Sequence, residues 1–482
     1  MTTLWGALQE TAARADRRPA LRVGDEVWSL EELLATSEQI ADWLAGEISV
    51  GPVFLSLGYS LASTACLIGA IRAGLVPVLA DPVWPEAELD RAMSRCGAVV
   101  SVRDTKLALV YSGEHSNSPD GSLELTYKHH SSHRRPDPGV DFGRFTSGST
   151  GAPRCLAFAE AAALGAARAW VEASCYSPDD EILCLATLNN GLGFNAALFP
   201  ALLSGSCLTF HPGRLTRSSI LRTMTKLKPT VLVAFPFVYE QLAAAPGATD
   251  ATQHLRLAIS SAARLTPEVK AAWKQVSADP VCDYYGLAEV GPCTFNLTED
   301  PESVGRALSS ALIRITDEHG ADCEPEEIGR VRVRTESMAH DYLDRDEPRL
   351  AASLDEYGFY VTKDLGRLAR DGQLILTGRV GREINIEGRK VQPGEVEDTL
   401  RELPGVRACV VMAEQLNRRI TLAAYIEGEG ITREDVVAHC HGRLAPYKIP
   451  QLIHVMSELP RSSTGKPSVG SLLGLGGKGA SA

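Results

Sequence analysis

No two of the eleven cysteines are spaced as a CxxC pair, and their number is odd and their placement scattered. That pattern reads as reduced, mostly buried thiols rather than a disulfide framework. A basic excess is missing as well. The 60 Asp and Glu residues outnumber the 48 Lys and Arg residues, for a formal net charge of −12. A nucleic-acid partner is therefore not expected, because phosphate backbones favour basic surfaces. Long apolar runs are also lacking. The most apolar stretch, Ala65–Ala80, is interrupted by Arg72 and Pro77 and is too short to span a bilayer. Glu10, Asp16 and several arginines before Val23 rule out a secretory leader. There is no internal repeat. These absences describe a cytoplasmic protein with no membrane partner.

What is present points to an enzyme of two or three domains. A chain of 482 residues is too long for one core, and 44% hydrophobic with 22% charged residues is ordinary for a globular enzyme. Short apolar runs (Pro52–Leu57, Val76–Ala80, Ala98–Val102, Ile182–Ala186, Cys207–Phe210, Thr230–Phe235, Leu255–Ser260) read as buried strands. Helical patterns such as Ala159–Ser174 and Ser218–Lys228 lie between some of them, which predicts a layered α/β architecture with largely parallel sheets. Residues 112–141 are dominated by Ser, Asn, Asp, Pro, Lys and His and read as a loop or ragged strands. Beyond residue 379 the spacing changes to that of a small α+β module. Its expected strands are Gln373–Thr377, Glu383–Ile386, Ala408–Met412 and Thr421–Ile426, with helices at Gly394–Leu403 and Thr432–Leu444. The Gly- and Ser-rich residues 471–482 read as a disordered tail.

The most informative segment is Phe145-Thr146-Ser147-Gly148-Ser149-Thr150-Gly151-Ala152-Pro153-Arg154. Hydroxyls and glycine amides at a bend wrap phosphate oxygens, because glycine permits close backbone approach and each N–H points at the anion. The spacing from Gly143 to Gly148 imitates a P-loop, but Ser149 stands where the lysine is required. The Gly191/Gly193 pair imitates a dinucleotide fingerprint, but no Asp or Glu occurs between residues 197 and 239 to hold a ribose. His129, His130 and His133 have no cysteine partners and read as a solvated loop, and His439 and His441 as helix surface. Further along stand Tyr284-Tyr285-Gly286-Leu287-Ala288-Glu289, Tyr360-Val361-Thr362-Lys363-Asp364 and Gly378-Arg379-Val380-Gly381-Arg382. A run from Ile386 to Glu397 and Pro460-Arg461-Ser462-Ser463-Thr464-Gly465-Lys466 complete the series.

In this order and spacing the motifs resemble the adenylate-forming superfamily of acyl-CoA ligases, peptide-synthetase adenylation domains and luciferases, from about residue 5 to 468. The resemblance implies the ANL fold. A large multi-subdomain α/β domain (1–378) would be joined by a hinge (379–383, centred on Gly381) to a mobile α+β domain (384–470). It also implies two half-reactions: a carboxylate attacks the α-phosphate of ATP to give acyl-AMP and pyrophosphate, and a thiol then displaces AMP.

Carried over position by position, the resemblance assigns Thr146, Ser147, Gly148, Ser149, Thr150, Gly151 and Arg154 to the phosphates. Tyr285 and Gly286, with Ala262 and Ala263 opposite, fall to adenine, and Tyr284 beside them to the nucleotide site. Asp364 falls to the ribose hydroxyls and Arg379 to the nucleotide. Glu289 is the Mg²⁺ contact, a hard oxygen donor for a hard cation. Lys466 bridges carboxylate and α-phosphate, and Gly388 leaves room for the pantetheine arm of CoA. The acyl pocket is expected from Asn190, Gly191 and Phe194 and from Phe235 and Phe237, with room for a bulky acid carrying polar groups, of the kind met in secondary metabolism.

Four positions depart from the family pattern. Arg154 and Ala288 replace a lysine and a threonine on the phosphate side, Lys363 replaces a glycine before Asp364, and Asn385 replaces a common lysine. The leading expectation is a two-step acyl-CoA ligase. Three alternatives stand beside it: an enzyme that only thioesterifies an acyl-adenylate supplied by a partner adenylating enzyme, a free-standing enzyme that loads a carrier protein, and an inactive adenylate or acyl-CoA sensor. The motif around Lys390–Glu397 favours CoA as acceptor.

Overall fold

The computed structural model describes the chain except residues 1, 2, 16, 83, 85, 106–113, 128–136, 146–153, 212, 214, 262–264, 266, 299, 301, 345–348, 381–383, 387, 388, 392, 417, 418, 442, 445, 462–466 and 468–482. Runs such as Val231–Ala234 and Leu257–Ser260 are apolar on both sides of the pleat, and every residue in them is buried. Strands with two apolar faces need cover on both sides, which parallel sheets flanked by helices provide. Five neighbouring strands follow this rule: Val281–Leu287, Leu257–Ser260, Val231–Ala234, Glu181–Cys184 and Cys207–Phe210 pair in parallel, in that order across the sheet. Pro19–Val23 continues the parallel set, and antiparallel strands close both edges, giving nine in all.

A second sheet of eight strands has Val76–Leu79, Pro52–Ser56 and Val100–Asp104 in parallel near its centre. One apolar core joins the two sheets through the helices between them: Leu55 and Val102 of one sheet, Ile182 and Val233 of the other, and Leu67 and Trp170 on helices. The helix Glu160–Ser174 carries small alanines on its packed face, which lets it lie close to the sheets. A buried carboxylate, Asp180, ties strand ends together. It receives Arg256 at 2.7 and 2.6 Å, Thr230 at 2.8 Å and the Ser177 amide at 2.8 Å.

Residues 112–141 hold more order than their composition suggests. Glu114–Asn117 and Leu123–Tyr127 form an antiparallel hairpin on the edge strand Val100–Asp104. Leu123 and Leu125 face the core, alternating with half-buried Glu124. Two inward leucines suffice for an edge strand, and the polar residues between them hid the period.

An antiparallel four-stranded sheet (Ala311–Thr316, Gly329–Thr335, Tyr360–Leu368, Leu374–Arg379) leads to the separate small C-terminal domain. There Val406–Leu416, Arg419–Gly428 and Leu452–Met456 form a sheet. Helices Pro393–Arg401 and Arg433–Cys440 share a core with it through Val396, Leu400, Val436 and Cys440. The fold class is therefore the layered α/β body with a small α+β module that the sequence predicts. Gly381, the expected hinge, and the expected disordered tail lie outside the described residues. So do His129, His130 and His133. His441 is exposed, as expected, whereas His439 is half-buried, its Nε2 3.0 Å from the Thr399 carbonyl on the facing helix. Among the described residues no helix is long and apolar enough to cross a membrane. All eleven cysteines are free thiols, nine of them buried.

Candidate active site

Candidate groups gather past the C-terminal ends of the parallel strands, where open α/β sheets leave a crevice. Strand Val281–Leu287 brings two tyrosines there, and a strand turns successive side chains to opposite faces. Tyr285 goes one way. Its hydroxyl donates to Asp364 Oδ2 at 2.7 Å, and Arg379 Nε meets Asp364 Oδ1 at 2.7 Å. Asp364 is oriented by its own backbone, whose N–H donates to Thr362 Oγ1 at 2.9 Å, while that hydroxyl donates to the Val331 carbonyl at 2.7 Å. A carboxylate with two partners retains lone pairs for further donors, so Asp364 suits a pair of hydroxyls as well. Burial, and then the Asp364 charge, push the Tyr285 hydroxyl well above the usual phenol range, so it stays a donor.

Tyr284 goes the other way, away from Tyr285 and Asp364. Its ring packs edge-on against Trp170, with centroids 5.0 Å apart. Its hydroxyl lies 3.6 Å from the point a Cβ on Gly191 would occupy. It therefore lies beside Gly191 rather than beside Asp364. Gly286 bears no side chain for a local reason: a Cβ there would come within 2.7 Å of the Gly291 carbonyl and 2.8 Å of the Tyr284 ring.

Glu289 lies in the turn after this strand, its carbonyl accepting from the Ala339 N–H at 2.8 Å. Its carboxylate faces Arg154 Nη2 at 3.7 Å, and the Arg154 guanidinium sits 4.9 Å above the Tyr342 ring. The Tyr360 hydroxyl bonds to Glu289, and burial and that charge push Tyr360 upward. Ala288 beside it is half-buried and offers no hydroxyl. Lys363 is exposed, while Thr362 and Asp364 on either side are buried.

The pocket residues divide. Asn190 is half-buried, and its Oδ1 accepts from the Leu192 amide at 2.9 Å, so that oxygen caps a helix. Gly191 faces Tyr284. Phe194 is buried and stacks on Phe142 at 5.3 Å. Phe235 and Phe237 stack on each other, 6.1 Å apart, past the end of Val231–Ala234. Residues Phe194–Leu198 form a π-turn, a feature frequent at functional sites. Gly193 makes that turn possible, since a Cβ would lie 2.5 Å from the Thr187 carbonyl and 2.7 Å from that of Ala186. The variant Gly193→Ala is expected to cost about 1–3 kcal/mol, as overpacking does. A lower urea midpoint in equilibrium unfolding checks this.

Two residues escaped the sequence reading. Arg144 is buried in the strand Phe142–Phe145, over the rings of Phe194 (4.6 Å) and Phe158 (5.2 Å). Its Nη1 donates to Asn195 Oδ1 at 3.4 Å, and among the described residues its buried Nε has no partner. A cation inside an apolar four-residue strand was the available signal. Glu427 accepts the Leu459 N–H at 3.0 Å and Arg461 Nη2 at 2.8 Å, and Arg461 pairs antiparallel with Pro467. These contacts anchor the two ends of the segment that contains Lys466. Lys466 itself, Gly388, Ala262, Ala263 and the loop Thr146, Ser147, Gly148, Ser149, Thr150 and Gly151 lie outside the described residues.

A model of the AMP-binding enzyme family matches residues 8–343, and one of the AMP-binding enzyme C-terminal domain matches residues 395–466. Human mitochondrial acyl-coenzyme A synthetase ACSM5 is 29% identical over 347 residues, which are 67% of this chain and 58% of that protein. The chain thus spans less than two thirds of that relative's length. The uncharacterized acyl–CoA ligase YhfT of Bacillus subtilis is 28% identical over 497 residues, 96% of each chain. The crystal structure of ATP-bound MatB from Rhodopseudomonas palustris superposes with a TM-score of 0.84 at 23% identity. The match covers 96% of this chain and 97% of that one, a likeness of fold.

Proposed function

This chain belongs to the AMP-binding enzyme family, and from that premise we propose that it is an acid–thiol ligase making an acyl-CoA through an acyl-adenylate. The observation that carries the reading is the buried carboxylate of Asp364, held between the Tyr285 hydroxyl and the Arg379 guanidinium. A fixed acceptor of that kind suits a ribose diol. In the first half-reaction the substrate carboxylate oxygen bonds to the α-phosphorus of ATP and pyrophosphate leaves. In the second, the CoA sulfur bonds to the carbonyl carbon, AMP leaves, and the thiol proton passes to solvent. Lys466 would sit between carboxylate and α-phosphate, where a flexible ammonium offsets charge on both. Gly388 would line the path of the pantetheine arm. The acid is proposed to be bulky and to carry polar groups, as in secondary metabolism.

Mg²⁺ fits the donors present. Bound with a nucleotide, it takes one or two carboxylates and fills its shell with phosphate oxygens and water. Glu289 would supply that carboxylate, and no cluster of three metal-ligating side chains occurs among the described residues. The ion would neutralise charge on the departing pyrophosphate. Arg154, now paired with Glu289, would turn to the phosphates as they arrive.

A second reading, thioesterification alone on an adenylate from a partner enzyme, draws on Ala288 and on the Arg154–Glu289 pair, which occupies the expected metal carboxylate. Pyrophosphate release with free acids, ATP and Mg²⁺ separates the two. Turnover without a partner enzyme supports the two-step ligase, and none, beside brisk conversion of synthetic adenylate, supports the second reading. Within the two-step reading, Arg154→Ala is expected to lower pyrophosphate release about 10- to 150-fold, the worth of one hydrogen bond to a charged group. Thioester formation from pre-made adenylate, which has no β- or γ-phosphate, should stay unchanged.

A further inference from the structure

Arg144 carries a charge that the fold does not balance. The guanidinium has five N–H donors. Among the described residues it has one hydrogen bond, a long one at 3.4 Å to Asn195, and an orphaned Nε. No carboxylate lies within ion-pair reach among the described residues, and the undescribed loop that follows directly, 146–153, contains no Asp or Glu. The two phenylalanine faces stabilise the cation only weakly compared with the water it has given up. Burial draws its pKa down to about 10, which leaves it charged at neutral pH. Unpaired buried charges of this kind are rare in finished cores and are met where a ligand completes the pairing.

The surroundings indicate where that ligand group would lie. Gly191, Asn195, Tyr284 and Arg144 come from three separate segments and converge on one point. A Cβ built on Gly191 would be 3.6 Å from Asn195 Nδ2, 3.6 Å from the Tyr284 hydroxyl and 4.0 Å from Arg144 Nη2. Three donor groups therefore face the edge of a residue that has no side chain. Tyr284 stays protonated, its pKa pushed up to about 12 by burial against the opposing pull of Arg144. Within this group Asn195 accepts one long bond from Arg144 and shares a hydrogen bond with Tyr284, and the rest of the Arg144 guanidinium has no acceptor among the described residues.

We propose that Arg144, Asn195 and Tyr284 form a subsite for a second anionic acceptor on the acid substrate, so that the preferred substrates are dicarboxylic acids. The proposal rests on the ligase reading for which carboxylate reacts: Lys466 would take the reacting one, and Arg144 the distal one. It does not depend on whether this chain makes the adenylate or only consumes it. An ionic hydrogen bond to a buried guanidinium is expected to favour the dicarboxylate over its monoamide by about 10- to 150-fold.

The test compares benzene-dicarboxylic acids and straight-chain dicarboxylic acids with their monoamides on the wild type, Arg144→Met and Arg144→Lys. Two readouts are taken: KM and kcat for pyrophosphate release, and the Kd of the matching non-reactive acyl-sulfamoyl adenosines by calorimetry. The expected result is a dicarboxylate preference of at least tenfold in the wild type, seen in KM or Kd. Arg144→Met abolishes the preference and Arg144→Lys keeps part of it, each read as the ratio of dicarboxylate to monoamide within one variant. Equal treatment of every dicarboxylate and its monoamide by the wild type overturns the proposal, even if Arg144→Met does not fold. A preference that survives in Arg144→Met overturns it too. A preference seen by calorimetry with no pyrophosphate release supports the subsite while removing the two-step reading. Turnover of acids without discrimination does the reverse.

Discussion

Lys466→Ala is expected to lower pyrophosphate release about 10²- to 10³-fold, the usual cost of removing one preorganised charge partner from a reacting centre. The same variant should convert synthetic acyl-adenylate and CoA to acyl-CoA at close to the wild-type rate. The asymmetry follows from the chemistry assigned to Lys466. Its ammonium offsets charge that is shared between the attacking carboxylate and the α-phosphate, and that sharing ends once the anhydride has formed. A structural role would predict a different result. Arg461 is tied to Glu427 and paired with Pro467, so contacts of the flanking residues themselves hold both ends of the segment. Thermal unfolding of the variant should match the wild type. Loss of both half-reactions together would show that Lys466 orders the C-terminal domain rather than acting on charge.

Asp364→Asn is expected to weaken both half-reactions, because adenosine is bound in each. The amide keeps one acceptor but loses the charge that receives Arg379, and it presents an NH₂ group to a partner that formerly met an oxygen. Two hydrogen bonds to a charged group are at stake, each worth about 1.5–3 kcal/mol. A rise of about 10²-fold or more in KM for ATP, and in KM for synthetic adenylate, is the expected outcome. Stability should change far less. Arg379 is about half exposed, so its pairing with Asp364 is screened by water and adds little to folding. An ATP KM that stays put while the acid KM rises would move Asp364 from the nucleotide to the acyl side.

Architecture was legible where one physical pattern dominated. Val231–Ala234 and Leu257–Ser260 are apolar on both faces, and their expected limits lie within two residues of the observed ones. The hairpin Glu114–Asn117 and Leu123–Tyr127 was not, because an edge strand needs only its inward positions apolar and the serines, asparagine and glutamate between them looked like loop. The site was legible as motifs but not as directions. Tyr284 and Tyr285 read as one pair, yet a strand sends neighbours to opposite faces, and the two serve different clusters. Lys363 stands beside Asp364 in the sequence, but the same alternation turns it outward. Asn190 read only as a pocket residue, and the helix-capping role of its oxygen was not visible in the motif. Arg144 was passed over because its meaning lies in what surrounds it across three segments, which no local pattern contains.

Both ligase readings share one claim: this chain joins CoA to an acyl group carried on AMP. Mass spectrometry on the purified protein with a synthetic dicarboxylic acyl-adenylate and CoA tests it most directly. The account predicts acyl-CoA far above the uncatalysed background, with AMP released in equal amount and the yield strongly reduced in Asp364→Asn. Adenylate recovered bound and intact, with no thioester beyond background, would contradict it.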